Sequence, residues 1–426
     1  MTEPSLTTLI GDEIEEMIEG GDKWSSFVDG KNGFFYGIPF NARRVVKFNP
    51  LDKSLTEIGP DLGDGYEKWK CGVRAKNSKI YCAPYFANHI LKIDPIRGTV
   101  ETLDGVELPE TGHYLWSSGA LAADNRIYYM PDGARRIMRL NPDNDSLSSV
   151  GDDLGEGRFK YSGTVVGNDD YLYGVPDEAT RILKFDPADP DTTSTVGEEA
   201  EIGFECGNGV LAGDGYIYAA DTLGQVLQID TTHNNYIWIG DPINSGGYGV
   251  GWGHPIIGAD RCIYWPPSSA NCVLRFDPET QQVLPSLVGD DLGEGSYKWE
   301  GGALAPDGNI YCIPFGATQI LAIDPFKEFS TTLQTNMKIC SDELGRLFLK
   351  DEDCDETFFE SSLRKFGIEK VFQLIEECLP LDTEWAAGTH NGILPPFIVA
   401  ASCENCAVSV IYYLLRRNVN GILGNI

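Results

Sequence analysis

Residues 298–325 read KWEGGALAPDGNIYCIPFGATQILAIDP, and the same grammar stands at 23–50 as KWSSFVDGKNGFFYGIPFNARRVVKFNP. Each copy holds three short apolar runs: the stretch after the tryptophan, an NIYCI-like run and a QILAID-like run. Pro306-Asp307-Gly308 is a tight-turn triplet that separates the first two, and Asp-Pro or Asn-Pro closes the third in most copies. On a pleated strand Ile320 and Ala322 fall on one side, and Leu321 and Ile323 on the other. A sheet apolar on both faces cannot stand alone and must stack on neighbours.

Working outward, the tyrosine of this unit recurs as Tyr36, Tyr81, Tyr128, Tyr173, Tyr218, Tyr264 and Tyr311, at intervals of 45, 47, 45, 45, 46 and 47 residues. That is close to the period of one four-stranded propeller blade. Twelve residues before each tyrosine sit Trp24, Trp69, Trp116, Tyr161, Cys206, Trp252 and Trp299, so the fifth unit alone lacks an aromatic there. Segments such as 54–59 and 286–289 supply a fourth, outer strand. The expected fold is an all-β, seven-bladed β-propeller of four-stranded blades over residues 5–335. Radial stacking closes a ring and hides strand edges. Two segments, 6–10 and 329–333, compete to complete the last blade.

Beyond the ring the register is lost. Residues 336–360 read as a connector with the acidic run Asp351 to Glu356. Residues 361–426 read as a small α-helical extension. Ile368, Val371, Phe372, Ile375 and Leu379 line one helical face before Pro380, and a second helical pattern runs over 408–417. The Asn391-Gly392 and PFIVAA segments resemble an ankyrin repeat.

Lys plus Arg is 33 and Asp plus Glu is 64, a net charge of -31. Such a chain repels a phosphate backbone and an anionic leaflet, so neither nucleic acid nor a membrane is expected as partner. The first residues carry no basic flank and no signal-like apolar run, and a cytoplasmic location is the expectation. The eleven cysteines have no repeated spacing. Cys403 and Cys406 form a single CxxC, and the acidic glycine-rich loops at 59–65, 151–157 and 289–295 lack the ligand spacing of a calcium loop. No metal and no cofactor is expected.

The acidic loops and the loops after the second strand share one end of a propeller, which makes that end the expected ligand face. Candidate ligand contacts are Trp24, Trp69, Trp116, Trp252 and Trp299, with packing between blades as the competing reading, and Asp221. This aspartate stands where the other units carry Pro39, Pro84, Pro131, Pro176, Pro267 and Pro314. The stretch IYCIPFGATQILAIDP resembles repeats of the streptogramin lyase family and, more loosely, gluconolactonase-type and NHL propellers. That resemblance implies the propeller fold over all seven units. It also implies a histidine and metal-binding carboxylates on the open face, often after the aromatic strand, where this chain places its prolines. The expected function is a non-catalytic scaffold holding a protein or glycan on the loop-rich face, with the helical tail as a second contact. The alternative is a lyase- or lactonase-like enzyme acting on a small cyclic ester or sugar-derived substrate. It would work from His89 or His113 paired with Asp132 or Asp177.

Overall fold

The structure is a computed structural model that describes residues 6–11, 22–243, 251–285, 292–293 and 295–325. The connector at 336–360, the ankyrin-like segment at 361–426 and the competing closing strand at 329–333 lie outside the described residues. Thr7–Pro325 form one compact unit. It is built of seven four-stranded antiparallel sheets, and no helix occurs among the described residues.

Six sheets take their strands in chain order. The seventh places Thr7–Ile10 outside Ile320–Ile323, followed inward by Ile310–Pro314 and Trp299–Leu304. The register pairs Thr7 with Ile323 and Ile10 with Ile320. The early segment therefore supplies the outer strand of the last blade, which removes the open edges a linear array would leave.

One local device explains the tyrosine repeat. Each of the seven tyrosines is at most 1% exposed, and a buried hydroxyl needs a partner. Four residues upstream, the turn between the first two strands supplies it. Tyr128 donates to Asp124 at 2.8 Å, Tyr173 to Asp169 at 2.7 Å, Tyr218 to Asp214 at 2.7 Å, Tyr264 to Asp260 at 2.7 Å and Tyr311 to Asp307 at 2.6 Å. The other carboxylate oxygen accepts a backbone N–H of the same turn, as Asp124 does from Arg126 at 3.0 Å. One aspartate thus fixes both the turn and the core tyrosine.

A second device explains the tryptophans. Each indole donates to the carbonyl twenty residues on, just before the third strand of its own blade: Trp24 to Arg44, Trp69 to His89, Trp116 to Arg136, Trp252 to Cys272 and Trp299 to Gln319, all at 2.8–3.2 Å. Nine-tenths or more of each ring is buried among core side chains.

Candidate functional site

The residue after the aromatic slot decides what faces the propeller axis. In five blades the pairing of the innermost strand with the second slips by one residue just past that slot, for example between Trp24 and Phe27 and between Trp299 and Gly302. In blades two and six the same place is interrupted: Trp69 and Trp252 make isolated bridges to Pro84 and Pro267, and the regular strands shrink to Val73–Arg74 and Ile256–Ile257. A bulge re-aims the side chain it carries. Here it turns the next residue inward, and the column reads Ser25, Lys70, Ser117, Ser162, Gly207, Gly253 and Glu300. Three of the serines latch neighbouring blades: Ser25 Oγ reaches Trp69 O at 3.4 Å, Ser117 reaches Tyr161 O at 3.1 Å and Ser162 reaches Cys206 O at 2.6 Å. Lys70 and Glu300 put charge into a column that is otherwise small and neutral.

Four residues after each core tyrosine, the loop between the second and third strands adds a second column: Phe40, Tyr85, Asp132, Asp177, Thr222, Ser268 and Phe315. The two columns enclose a cavity of about 480 Å³ at the loop end of the axis. Its wall is apolar on one side. Tyr297, Phe315, Phe40, Tyr85, Tyr114 and Phe159 form a continuous arc, with successive ring centroids 6.4, 5.0, 6.1, 5.2 and 5.3 Å apart. Tilted and edge-on pairs at such spacings attract one another beyond their area of contact.

Carboxylates make up most of the rest: Asp22, Glu67, Asp177, Glu178, Glu205 and Glu300 line the same cavity. Burial raises Asp22 to about 6, helped by Glu300 and Glu67. It raises Asp177 to about 7, with Lys70 opposing and Asp132, Glu178 and Glu205 adding to the rise. Glu67 and Glu300 are also shifted up by burial. Among the described residues Lys70 is the one cation lining the cavity. Its Nζ stands 5.3 Å from the centre of the Tyr85 ring, and among the described residues no carboxylate forms an ion pair with it. His254 also lines the cavity, and burial, with Lys70 nearby, pushes it down to about 3, so it is neutral at physiological pH.

The sequence candidates fall in several places. Asp177 lines the cavity. Asp132 stands behind it, 1% exposed, and its Oδ1 accepts the Phe159 N–H at 2.7 Å, so it braces the loop leading into blade four. Asp221, expected to point into the cavity, does not line it. Its Oδ1 accepts from Leu223 N at 2.9 Å and Gln225 N at 2.8 Å and shapes the turn, while the neighbouring Thr222 reaches the cavity. A proline there cannot make those two bonds, which accounts for the odd residue in the slot. Trp252 lines the cavity, whereas Trp24, Trp69, Trp116 and Trp299 are absent from its wall. His113 is exposed and stacks on Phe86 at 4.5 Å, and His89 Nδ1 stands 3.8 Å from Asp104. Neither histidine lines the cavity, and no hydrogen bond joins them. Lys68 and Lys160, which stand just before the aromatic slot, donate to backbone carbonyls of Asn41, Gly65 and Gly157. The acidic loops find their cations in Arg43 and Arg135, which pair with Asp61 and Asp153.

Lys70, Glu300, Glu205, Asp22 and the aromatic arc are the site residues sequence reasoning missed. Reading down the column after the aromatic slot shows Lys70 and Glu300 as outliers, and reading down the column after the proline shows aromatics giving way to aspartate. Both signals are present in the chain.

Comparison with known proteins agrees with this fold. No family model matches the sequence, and no curated protein matches it. Among solved structures, a catalytically inactive virginiamycin B lyase from Staphylococcus aureus with quinupristin superposes with a TM-score of 0.59 at 14% identity, covering 75% of this chain and 99% of that one. A streptogramin B lyase gives 0.58 at 14% identity, over 74% and 97%. The extracellular domain of a protein assigned as a hybrid two component system from B. thetaiotaomicron gives 0.56 at 10% identity, over 76% and 41%. At these identities the likeness is one of fold, and the chain is a seven-bladed propeller whose structural neighbours include a lyase and the extracellular domain of a two component system.

Proposed function

We propose that the propeller is a non-catalytic ligand-binding scaffold whose axial cavity takes a cationic group of its ligand. The observation that carries this reading is the composition of the cavity lining: six carboxylates and a continuous aromatic arc, with Lys70 as the one cation among the described residues. Burial first, and neighbouring carboxylates second at Asp22 and Asp177, disfavour the charged form of these groups, and a cation entering the cavity favours it. The aromatic faces add to the attraction for a desolvated cation. A neutral glycan offers no such compensation, so of the two ligand classes the sequence left open, a segment or small molecule bearing a positive charge fits better. The lyase- or lactonase-like alternative rested on His89 and His113, which stand off the cavity.

Titration calorimetry with n-butylamine and, separately, glucose tests the reading. Binding of the amine that is lost in Asp177→Asn/Glu205→Gln is the expected result. Glucose binding in the absence of amine binding overturns it.

A further inference from the structure

The six carboxylates are not spread evenly. Asp22, Glu67 and Glu300 come from the loops and strands of blades one, two and seven and line the cavity together, with Glu300 and Glu67 close enough to add to the rise of Asp22. Asp177, Glu178 and Glu205, with Asp132 behind, come from blades three to five, and the other three stand close enough to add to the rise of Asp177. In a seven-membered ring blade one lies across the axis from blades four and five, so the cavity has two acidic poles facing each other. Lys70 stands between them. It acts attractively on Glu67 and Glu300 at one pole and on Asp132 and Asp177 at the other, yet forms an ion pair with none. The aromatic arc runs from Phe315 and Phe40 past Tyr85 to Tyr114 and Phe159, and so spans the distance from one pole to the other along the cavity wall. At the first pole, Glu67 Oε2 is buried with no hydrogen-bond partner.

The geometry points to a linear aliphatic diamine or polyamine as the ligand of this cavity, with one ammonium group at each pole and the methylene chain laid along the aromatic arc. This assignment rests on the cation-binding reading above and narrows it. A single cation leaves the opposite pole uncompensated. Two ammonium groups satisfy both poles, each by charge-assisted hydrogen bonds of the strong kind. The chain between them is apolar and matches rings that a hydrated metal ion does not need. Among the described residues no cluster of three His, Cys, Asp or Glu side chains is arranged to hold a metal. Of the two glycines of the axial column, Gly207 leaves room on the blade-five side, where an added Cβ meets its first atom at 3.9 Å, whereas Gly253 packs directly against the Glu300 backbone, 2.3 Å from where a Cβ would stand.

The experiment compares n-butylamine, 1,4-diaminobutane, spermidine and tetralysine peptide by calorimetry at pH 8 on the full chain, with Asp22→Asn, Asp177→Asn and Lys70→Met. All three variants are checked for an unchanged circular dichroism spectrum, and Glu300→Gln and Glu205→Gln replace either aspartate variant that fails to fold. The expected result is that the diamine or spermidine binds about tenfold or more tighter than the monoamine, the worth of one further charge-assisted bond. Either pole variant should reduce that preference to near unity, and Lys70→Met should raise diamine affinity by removing a competing cation. Equal binding of monoamine and diamine overturns the two-pole assignment and leaves the cation-binding reading standing, as does a diamine preference that survives both pole variants. Tighter binding of tetralysine than of spermidine assigns the cavity to a basic peptide and overturns the assignment. Failure of every amine to bind removes the cation-binding reading with it.

Discussion

Trp116 donates its indole N–H to the carbonyl of Arg136 at 3.2 Å, twenty residues along the chain, while its ring is completely buried. The bond ties the start of the innermost strand to the start of the third, and the ring fills the space between them. Trp116→Ala removes both and should destabilise the propeller by about 3–5 kcal/mol, as large-to-small changes in cores do. Urea denaturation followed by tyrosine and tryptophan fluorescence measures it. A loss under about 1 kcal/mol would return the ring of tryptophans to the ligand reading.

Asp169 accepts the Tyr173 hydroxyl at 2.7 Å and pairs with Lys184 at 2.9 Å. Asp169→Ala strands a buried hydroxyl and should cost about 1–3 kcal/mol. Combining it with Tyr173→Phe removes the stranded group, so the double variant should be less damaged than the two single effects added together. Strict additivity in a double-mutant cycle would deny the coupling.

Deleting residues 1–11 removes Thr7–Ile10 and bares the edge formed by Ile320–Ile323. The melting temperature should fall by at least about 4 °C, since each kcal/mol lost lowers it by roughly 2–4 °C in domains of this order of size. An unchanged melting curve with a monomeric truncated chain counts against closure by this strand.

The acidic cavity carries a pH signature. Asp177 has a folded-state value of about 7 against an ordinary 3.8, so between those values the folded chain holds more protons than the unfolded one. Stability contributed by this group is full below pH 4 and is lost as pH rises through 7. Asp177→Asn should therefore melt higher than the wild type at pH 8, with the gap closing towards pH 4. His254 works in the opposite sense. Held down to about 3, it lowers stability as pH falls below 6.5, equally in both proteins. A melting difference that does not change between pH 4 and 8 refutes the raised carboxyl.

The propeller was legible because its rules are local and repeated. Tyr128 and Asp124, or Trp24 and the carbonyl of Arg44, sit at fixed offsets, and seven copies of the same offsets leave little choice of fold. Even the closing strand was narrowed to two segments. The cavity was less legible because it is written in departures from the repeat, read across blades. Lys70 and Glu300 are ordinary residues within their own units and become a pair only when the ring brings blades two and seven to one axis. The tryptophans drew attention as ligand contacts through their regularity, yet regularity is the mark of packing. His89 and His113 stand out in the sequence by chemical type alone, and the fold sets them beside Asp104 and Phe86. Asp221 was recognised as an exception in its column, but the structure uses the exception to make a turn.

The pairing of Thr7 with Ile323 joins residues 316 positions apart. At translation speeds of about 5–20 residues per second, the first strand waits roughly 15–60 s on the ribosome before its partner emerges. Six blades can assemble as they appear, each from contiguous chain, while this short strand keeps its backbone donors and acceptors unsatisfied by the sheet. The last blade thus acts as a completion check: a chain that stops short of it leaves apolar blade faces bare at both ends of the stack and Thr7–Ile10 without its partner strand, and closure of the ring covers both.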